Sequence, residues 1–183
     1  MIGRTVDNMR EYQNLNNVKG QCITNTQYLY DTIKYNSFGK YVEFKAKAVF
    51  VIKIDNELNL TRFVTHVVLN VKDKSNDEEY IIDPSYETFS LKNKKYYDTI
   101  QSFMPIFKNM TDENKKKILK EYISLSKHAD NINNGELLIA DRKFYDQQAD
   151  YIQEKKADYV MKQKQADYYV MKKILHKLLM FKK

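Results

Sequence analysis

Tryptophan is absent from this chain, and cysteine occurs once, proline twice and glycine four times in 183 residues. One cysteine cannot close an internal disulfide. With the three scattered histidines His66, His128 and His176 it cannot build the common structural zinc sites either. Four glycines exclude the glycine-rich phosphate cradles, both the P-loop and the dinucleotide fingerprint. No run of about 20 apolar residues is present, so no ordinary transmembrane helix is expected. The opening Met1–Asp7 carries no apolar signal segment, and secretion by that route is not expected. What is present suits a folded chain: 43% apolar and 30% charged residues, in a length that makes one domain with its own core. The expectation is an intracellular, cytoplasmic protein. The abundance of Asn, Lys, Ile and Tyr suggests an AT-rich genome such as that of a large DNA virus, a protist or a phage, and a viral product could be packaged in a virion.

The net charge of +7 is unevenly placed. Residues 160–183 carry seven lysines against the single acid Asp167, a balance of +6, which leaves about +1 for everything before them. Basicity therefore belongs to a tail, and the rest of the chain shows no nucleic-acid footprint.

Along the chain, residues 5–17 read as a short polar helix and loop. Ile23, Thr26, Leu29, Tyr30 and Ile33 then recur at helical spacing, and Asn36-Ser37-Phe38-Gly39 ends that helix. From Tyr41 to Ile54 the period changes to two, with Val42, Phe44, Ala46, Ala48, Phe50, Ile52 and Ile54 on one side and Glu43, Lys45, Lys47 and Lys53 on the other, which predicts a half-buried strand. A second strand is predicted over Arg62–Val71 and a short third over Tyr80–Ile82, running into Asp83-Pro84-Ser85. After residue 90 the β signal disappears. A helix is expected over Tyr96–Phe107, another from a Thr111-Asp112-Glu113 start to about His128, and one or two long helices over Glu136–Lys183, which contains neither Gly nor Pro. That last stretch repeats Ala-Asp-Tyr at 149, 157 and 166. These spacings match no solenoid period and read as local duplication in a solvated helix.

Three residues carry chemistry. Cys22 stands at the start of a predicted helix, where free backbone amides and the helix dipole can lower a thiol pKa from about 8.5 and can also stabilise an oxyanion. His66 sits in a strand, which fixes the direction of its side chain. Asp83 ends the next strand and, if the two pair antiparallel, can accept from the imidazole. A thiol, a base for its proton and an acceptor that orients the base are what nucleophilic thiol catalysis requires.

In this order the three residues resemble the transglutaminase-like branch of the papain-like cysteine enzymes. The motifs are Lys19-Gly20-Gln21-Cys22 before a helix, His66-Val67-Val68-Leu69-Asn70-Val71 in a strand and Ile82-Asp83-Pro84-Ser85 after one, with intervals of 44 and 17 residues. The likeness covers roughly residues 15–90. The Arg-Gly-Gly-x-Cys turn of arylamine acetyltransferases is absent, which counts against that activity, and Gln13, Asn16 and Asn17 lie near the place of a papain-type oxyanion glutamine without matching it.

The resemblance implies an α+β fold. A papain-like core at residues 1–90 would pack a Cys-bearing helix on an antiparallel sheet, with a helical extension at 91–135 and long basic amphipathic helices at 136–183. It implies a Cys22-His66-Asp83 triad acting on an amide or isopeptide bond of a peptide or protein, as peptidase, amidase, deamidase or transamidase, with no metal or organic cofactor. The rival expectation is a non-enzymatic structural or interaction protein, virion-associated if viral, that works through its C-terminal helices. In residues 168–181 an apolar stripe of Val170, Met171, Ile174, Leu175, Leu178 and Leu179 runs beside lysines. This stripe is expected to pack on the domain or in an oligomer, with a partner groove or an anionic membrane surface as lesser alternatives and nucleic acid disfavoured.

Overall fold

The computed structural model describes residues 2–55, 60–85, 94–97, 108, 110–136 and 141–180. Its elements are helices α1 (Ile2–Leu15) and α2 (Cys22–Lys34), a 3-10 turn (Ser37–Lys40), strands β1 (Val42–Asp55), β2 (Leu60–Asp73), β3 (Glu79–Ile82) and β4 (Lys94–Tyr97), and helices α3 (Asp112–Asn133) and α4 (Arg142–Met180). The strands form one antiparallel sheet in the order β3-β2-β1-β4. The fold is α+β.

The β1–β2 register pairs Phe44 with Val71, Ala46 with Leu69 and Ala48 with Val67, which puts the alternating apolar set on one face. Helices α2 and α3 cover that face. Leu29, Tyr30 and Ile33 of α2 and Ala129 and Ile132 of α3 join Ala46, Val67, Leu69 and Val71 in one core. Further along, the Phe50 ring stacks on Tyr122 of α3 at 4.4 Å between centroids. The other face is not simply solvated: Val49, Val51 and Val68 are buried too. The strand is thus buried on both faces at its centre, because Ala48–Ile52 is an unbroken apolar run that alternation alone does not reveal.

Helix α2 is the central element. Thr24 to Tyr30 are all buried, so it is enclosed on every side, as a helix through the middle of a domain must be. Its Tyr28 packs with Met9 of α1 and Ile152 of α4. Helix α1 is correspondingly less polar in role than its composition suggests, since Thr5, Val6, Met9 and Gln13 form one buried face.

Two sequence expectations are corrected. Lys94–Tyr97 is a strand paired with Phe50–Lys53, where a helix over Tyr96–Phe107 was expected; residues 98–107 lie outside the described residues. The free edge of β1 supplies a partner that overrides the weak local preference of Lys-Lys-Tyr-Tyr. The helix opening at Asp112, capped by the Thr111 hydroxyl on Asn114 N–H, runs past His128 to Asn133. Asn133 then makes two bonds to β1: its Oδ1 accepts from Ala46 N–H at 2.8 Å and its Nδ2 donates to Ala46 C=O at 3.0 Å. One side chain thus takes the place of a strand beside β4.

Helix α4 is one continuous helix. Its first half is docked through Phe144, Gln148 and Ile152, all buried, and Arg4 lies over the Tyr159 ring at 3.6 Å. Beyond that the helix leaves the body. Val160, Met161, Tyr168, Tyr169, Val170 and Met171 are all exposed, so the start of the expected stripe does not pack on this domain, and the side chains of Ile174, Leu175, Leu178 and Leu179 lie outside the described residues. Among the described residues no helix is long and apolar enough to cross a membrane.

Candidate active site

Gly20, at φ +75°, turns the chain into α2 with a backbone conformation that side-chain-bearing residues resist. Gln21 is the N-cap and Cys22 the first helical residue. The first backbone hydrogen bond of the helix runs from Asn25 N–H to Gln21 C=O, so the amides of Cys22, Ile23 and Thr24 have no partner within the helix.

This helix start abuts β2 at Val67, beyond the point where β3 stops. β3 pairs with β2 only from Leu69 to Lys72. At Val67 the outward N–H donates to the Cys22 sulfur instead, and the outward C=O accepts from the Thr26 hydroxyl at 3.0 Å. Two side chains of α2 therefore replace the missing strand. Thr26 is completely buried, so Thr26→Val should leave the Val67 carbonyl unpaired and cost about 1–3 kcal/mol, read from chemical denaturation.

His66 is the residue before Val67. Its Nε2 lies 2.9 Å from Asp83 Oδ1. A carboxylate can only accept, so Nε2 carries the proton in that bond, and the ring is left to meet the Cys22 thiol through Nδ1. The side chains are 13% exposed for His66 and 5% for Asp83. Asp83 does not sit level with His66 in the ladder: the β2–β3 register, extended one step, sets it opposite Val68. It reaches the imidazole because the chain has just left β3. Its Oδ1 also accepts from Ser85 N–H at 3.0 Å, an Asp-Pro-Ser turn that holds the carboxylate in place.

The structure thus brings Cys22, His66 and Asp83 together in one hydrogen-bonded chain. Burial pushes the Cys22 thiol up, but the hydrogen bond and charge of His66 and the Val67 N–H outweigh it, against a smaller upward push from the Asp83 carboxylate, and the thiol ends below its usual value. Burial likewise disfavours the charged form of His66; bonds and charges from Asp83 and Cys22 reverse this and raise it to about 10. Such opposite shifts favour a thiolate–imidazolium pair.

Sequence reading missed the supports. Gln13, which lay close to the place of an oxyanion side chain, does not serve Cys22. Its amide nitrogen donates to the Pro84 carbonyl at 3.1 Å and to Gln148 Oε1 at 3.0 Å, and its oxygen accepts from Asn25 Nδ2 at 2.9 Å. Arg10 donates to the Asp83 carbonyl. The available signal was the row of uncharged polar residues on otherwise amphipathic helices. A groove of about 710 Å3 also opens beside Val64 and Thr65, with Met110, Thr111, Lys117 and Glu121 of the α3 end on its other wall. Among the described residues no group of three or more His, Cys, Asp or Glu side chains is arranged to hold a metal. Compared with protein-family models, with curated proteins and with solved structures, the chain matches none.

Proposed function

We propose that this protein is a cysteine-dependent acyl-transfer enzyme of the transglutaminase-like, papain-like kind, acting on an amide or isopeptide bond in a peptide or protein. The observation that carries the reading is the chain from Cys22 through His66 to Asp83, in which the histidine is bonded on both sides. The Cys22 sulfur attacks the carbonyl carbon, and the free amides at the start of α2 donate to the developing oxyanion. His66 Nδ1 holds the thiol proton and returns it to the leaving amine, while Asp83 keeps the imidazolium oriented and charged. Water then releases the acyl group in a hydrolase, or an amine does so in a transamidase.

Both partners must be ionised for this chemistry, and that sets its pH window. Below the lowered pKa of Cys22 the thiolate is lost; above about 10 His66 loses the proton it must deliver. Hydrolysis of an activated ester should follow a bell whose alkaline limb falls near 10. The rate of Cys22 labelling by iodoacetamide should titrate below the pKa of an ordinary thiol, which is about 8.5. A label rate that tracks an ordinary thiol, or a cysteine silent until the protein unfolds, would sink the proposal.

A second reading has its own observation. Val160, Met161, Tyr168, Tyr169, Val170 and Met171 are exposed along the free half of a basic helix, which suits a protein that assembles or binds through its tail. The two are separable, since binding alone needs no activated thiol.

A further inference from the structure

Helix α4 touches the supports at both ends of the triad. At its start Asp141 accepts from Phe144 N–H through Oδ1 at 3.0 Å and from Gln21 Nε2 through Oδ2 at 3.1 Å. Gln21 is the residue before Cys22, and its Oε1 accepts from the Thr24 hydroxyl at 3.2 Å. Seven residues further on, two turns along the same side of the helix, stands Gln148, which is completely buried. Its Oε1 accepts from Gln13 Nε2, the nitrogen that also donates to Pro84 C=O. The orientation of Gln13 is forced, because a proline carbonyl only accepts and so must face the amide nitrogen. The Gln13 oxygen is then turned to Asn25, which reaches on to the Ser85 hydroxyl at 3.3 Å.

The Cys22 turn and the Asp83 turn each lie where a regular element ends. β3 stops at Ile82, so no sheet ladder fixes Asp83 relative to α2. Packing alone would be served by Leu or Met at 148. A buried amide there orients its neighbours rather than merely filling space.

We propose that Asp141 and Gln148 are positioning residues of the enzyme, and that α4 is a splint fixing the separation between the Cys22 turn and the Asp83 turn. This rests on the reading of Cys22 as the nucleophile. The test uses the full-length protein in three variants. Gln148→Met keeps volume and removes the bond to Gln13. Asp141→Ser keeps a helix-capping oxygen but withdraws the carboxylate from Gln21. Lys155→Ala breaks the exposed Lys155–Glu11 pair of 2.9 Å between α4 and α1 without touching either turn, and is the control for loosened docking.

The readout is the pH profile of Cys22 alkylation by iodoacetamide. Gln148→Met and Asp141→Ser should each move the midpoint up by about one unit, a roughly tenfold slower reaction at pH below the wild-type midpoint, while Lys155→Ala leaves the profile in place. A merely structural role would lower Tm and leave the midpoint where it was. Variant profiles equal to wild type, or a Lys155→Ala profile displaced as far as the others, overturn the proposal. If Gln148→Met does not fold, Asp141→Ser at the half-buried helix start decides alone. A wild-type thiol that titrates in the ordinary range overturns the nucleophile reading itself, and that result is seen before any variant is made.

Discussion

Replacing Asp83 by alanine should cut acyl transfer by about 10,000-fold, the scale on which a triad depends on the group that orients its imidazole. Without the carboxylate, His66 Nε2 has lost its acceptor in a site where the ring is 13% exposed, so the ring is free to take the wrong tautomer and its raised pKa falls back toward 6.5. The thiol then loses its charged partner, and burial, the largest influence on it, pushes its pKa up. Alkylation at neutral pH should slow with turnover, and the alkaline limb of the bell should move below 10. Ser85 N–H also loses its acceptor, at a stability cost of about 1–3 kcal/mol. Asp83→Asn separates charge from geometry. The His66 and Ser85 bonds go to the same oxygen, Oδ1, which an asparagine can still present to Ser85 N–H. This variant should stay folded and keep the Ser85 bond, but without the charge the imidazole is no longer held in the right tautomer, so its rate should also fall severely, toward the alanine level. Wild-type turnover in Asp83→Ala would remove Asp83 from the mechanism.

What could be read from the sequence was local. Cys22 before a helix, His66 in a period-2 strand and Asp83 ahead of Pro84 are each signalled within a few residues; the structure places Cys22 at the start of α2 and His66 in β2, with Asp83 one residue past the end of β3. What could not be read was long-range. Lys94–Tyr97 has no alternation of its own and becomes a strand because β1 offers an edge. Val49 and Val51 are buried by what lies on the second face of the sheet, which a two-fold pattern assigns to solvent. Gln13 and Gln148 meet across 135 residues of chain, and the uncharged polar character of each gives no sign that the other is its partner. The adjacency of Asp83 and His66 was expected from strand pairing but arises differently. The register sets Asp83 opposite Val68, and the Asp-Pro-Ser turn closes the remaining distance.

Helix α4 has two halves, and substitutions along them should have very unequal consequences for stability. Ile152 is completely buried against Met9 and Tyr28, so Ile152→Ala should cost about 2–5 kcal/mol, a large share of the 5–15 kcal/mol that holds a typical domain together. At about 2–4 °C per kcal/mol for a chain of this size, the fall in Tm is readily measured. Met161, nine residues further along and 63% exposed, has no such contacts, and Met161→Ala should stay within about 0.5 kcal/mol. Removing residues 163–183 should accordingly leave Tm and the low-pH reactivity of Cys22 close to wild type, because Phe144, Gln148, Ile152 and Tyr159 all remain. It removes most of the positive charge and the exposed Tyr168–Met171 stripe, so any self-association or binding to anionic surfaces should fall, and should already weaken with salt in the intact protein. Removing residues 141–183 should behave quite differently. It uncovers Met9 and Tyr28 and strips the bonds to Gln21 and Gln13, so both the fold and the thiol should suffer. Circular dichroism and alkylation of the two truncated chains test the boundary. A shorter deletion that melts as badly as the longer one would mean that the distal half of the helix, basic and exposed as it is, belongs to the fold after all.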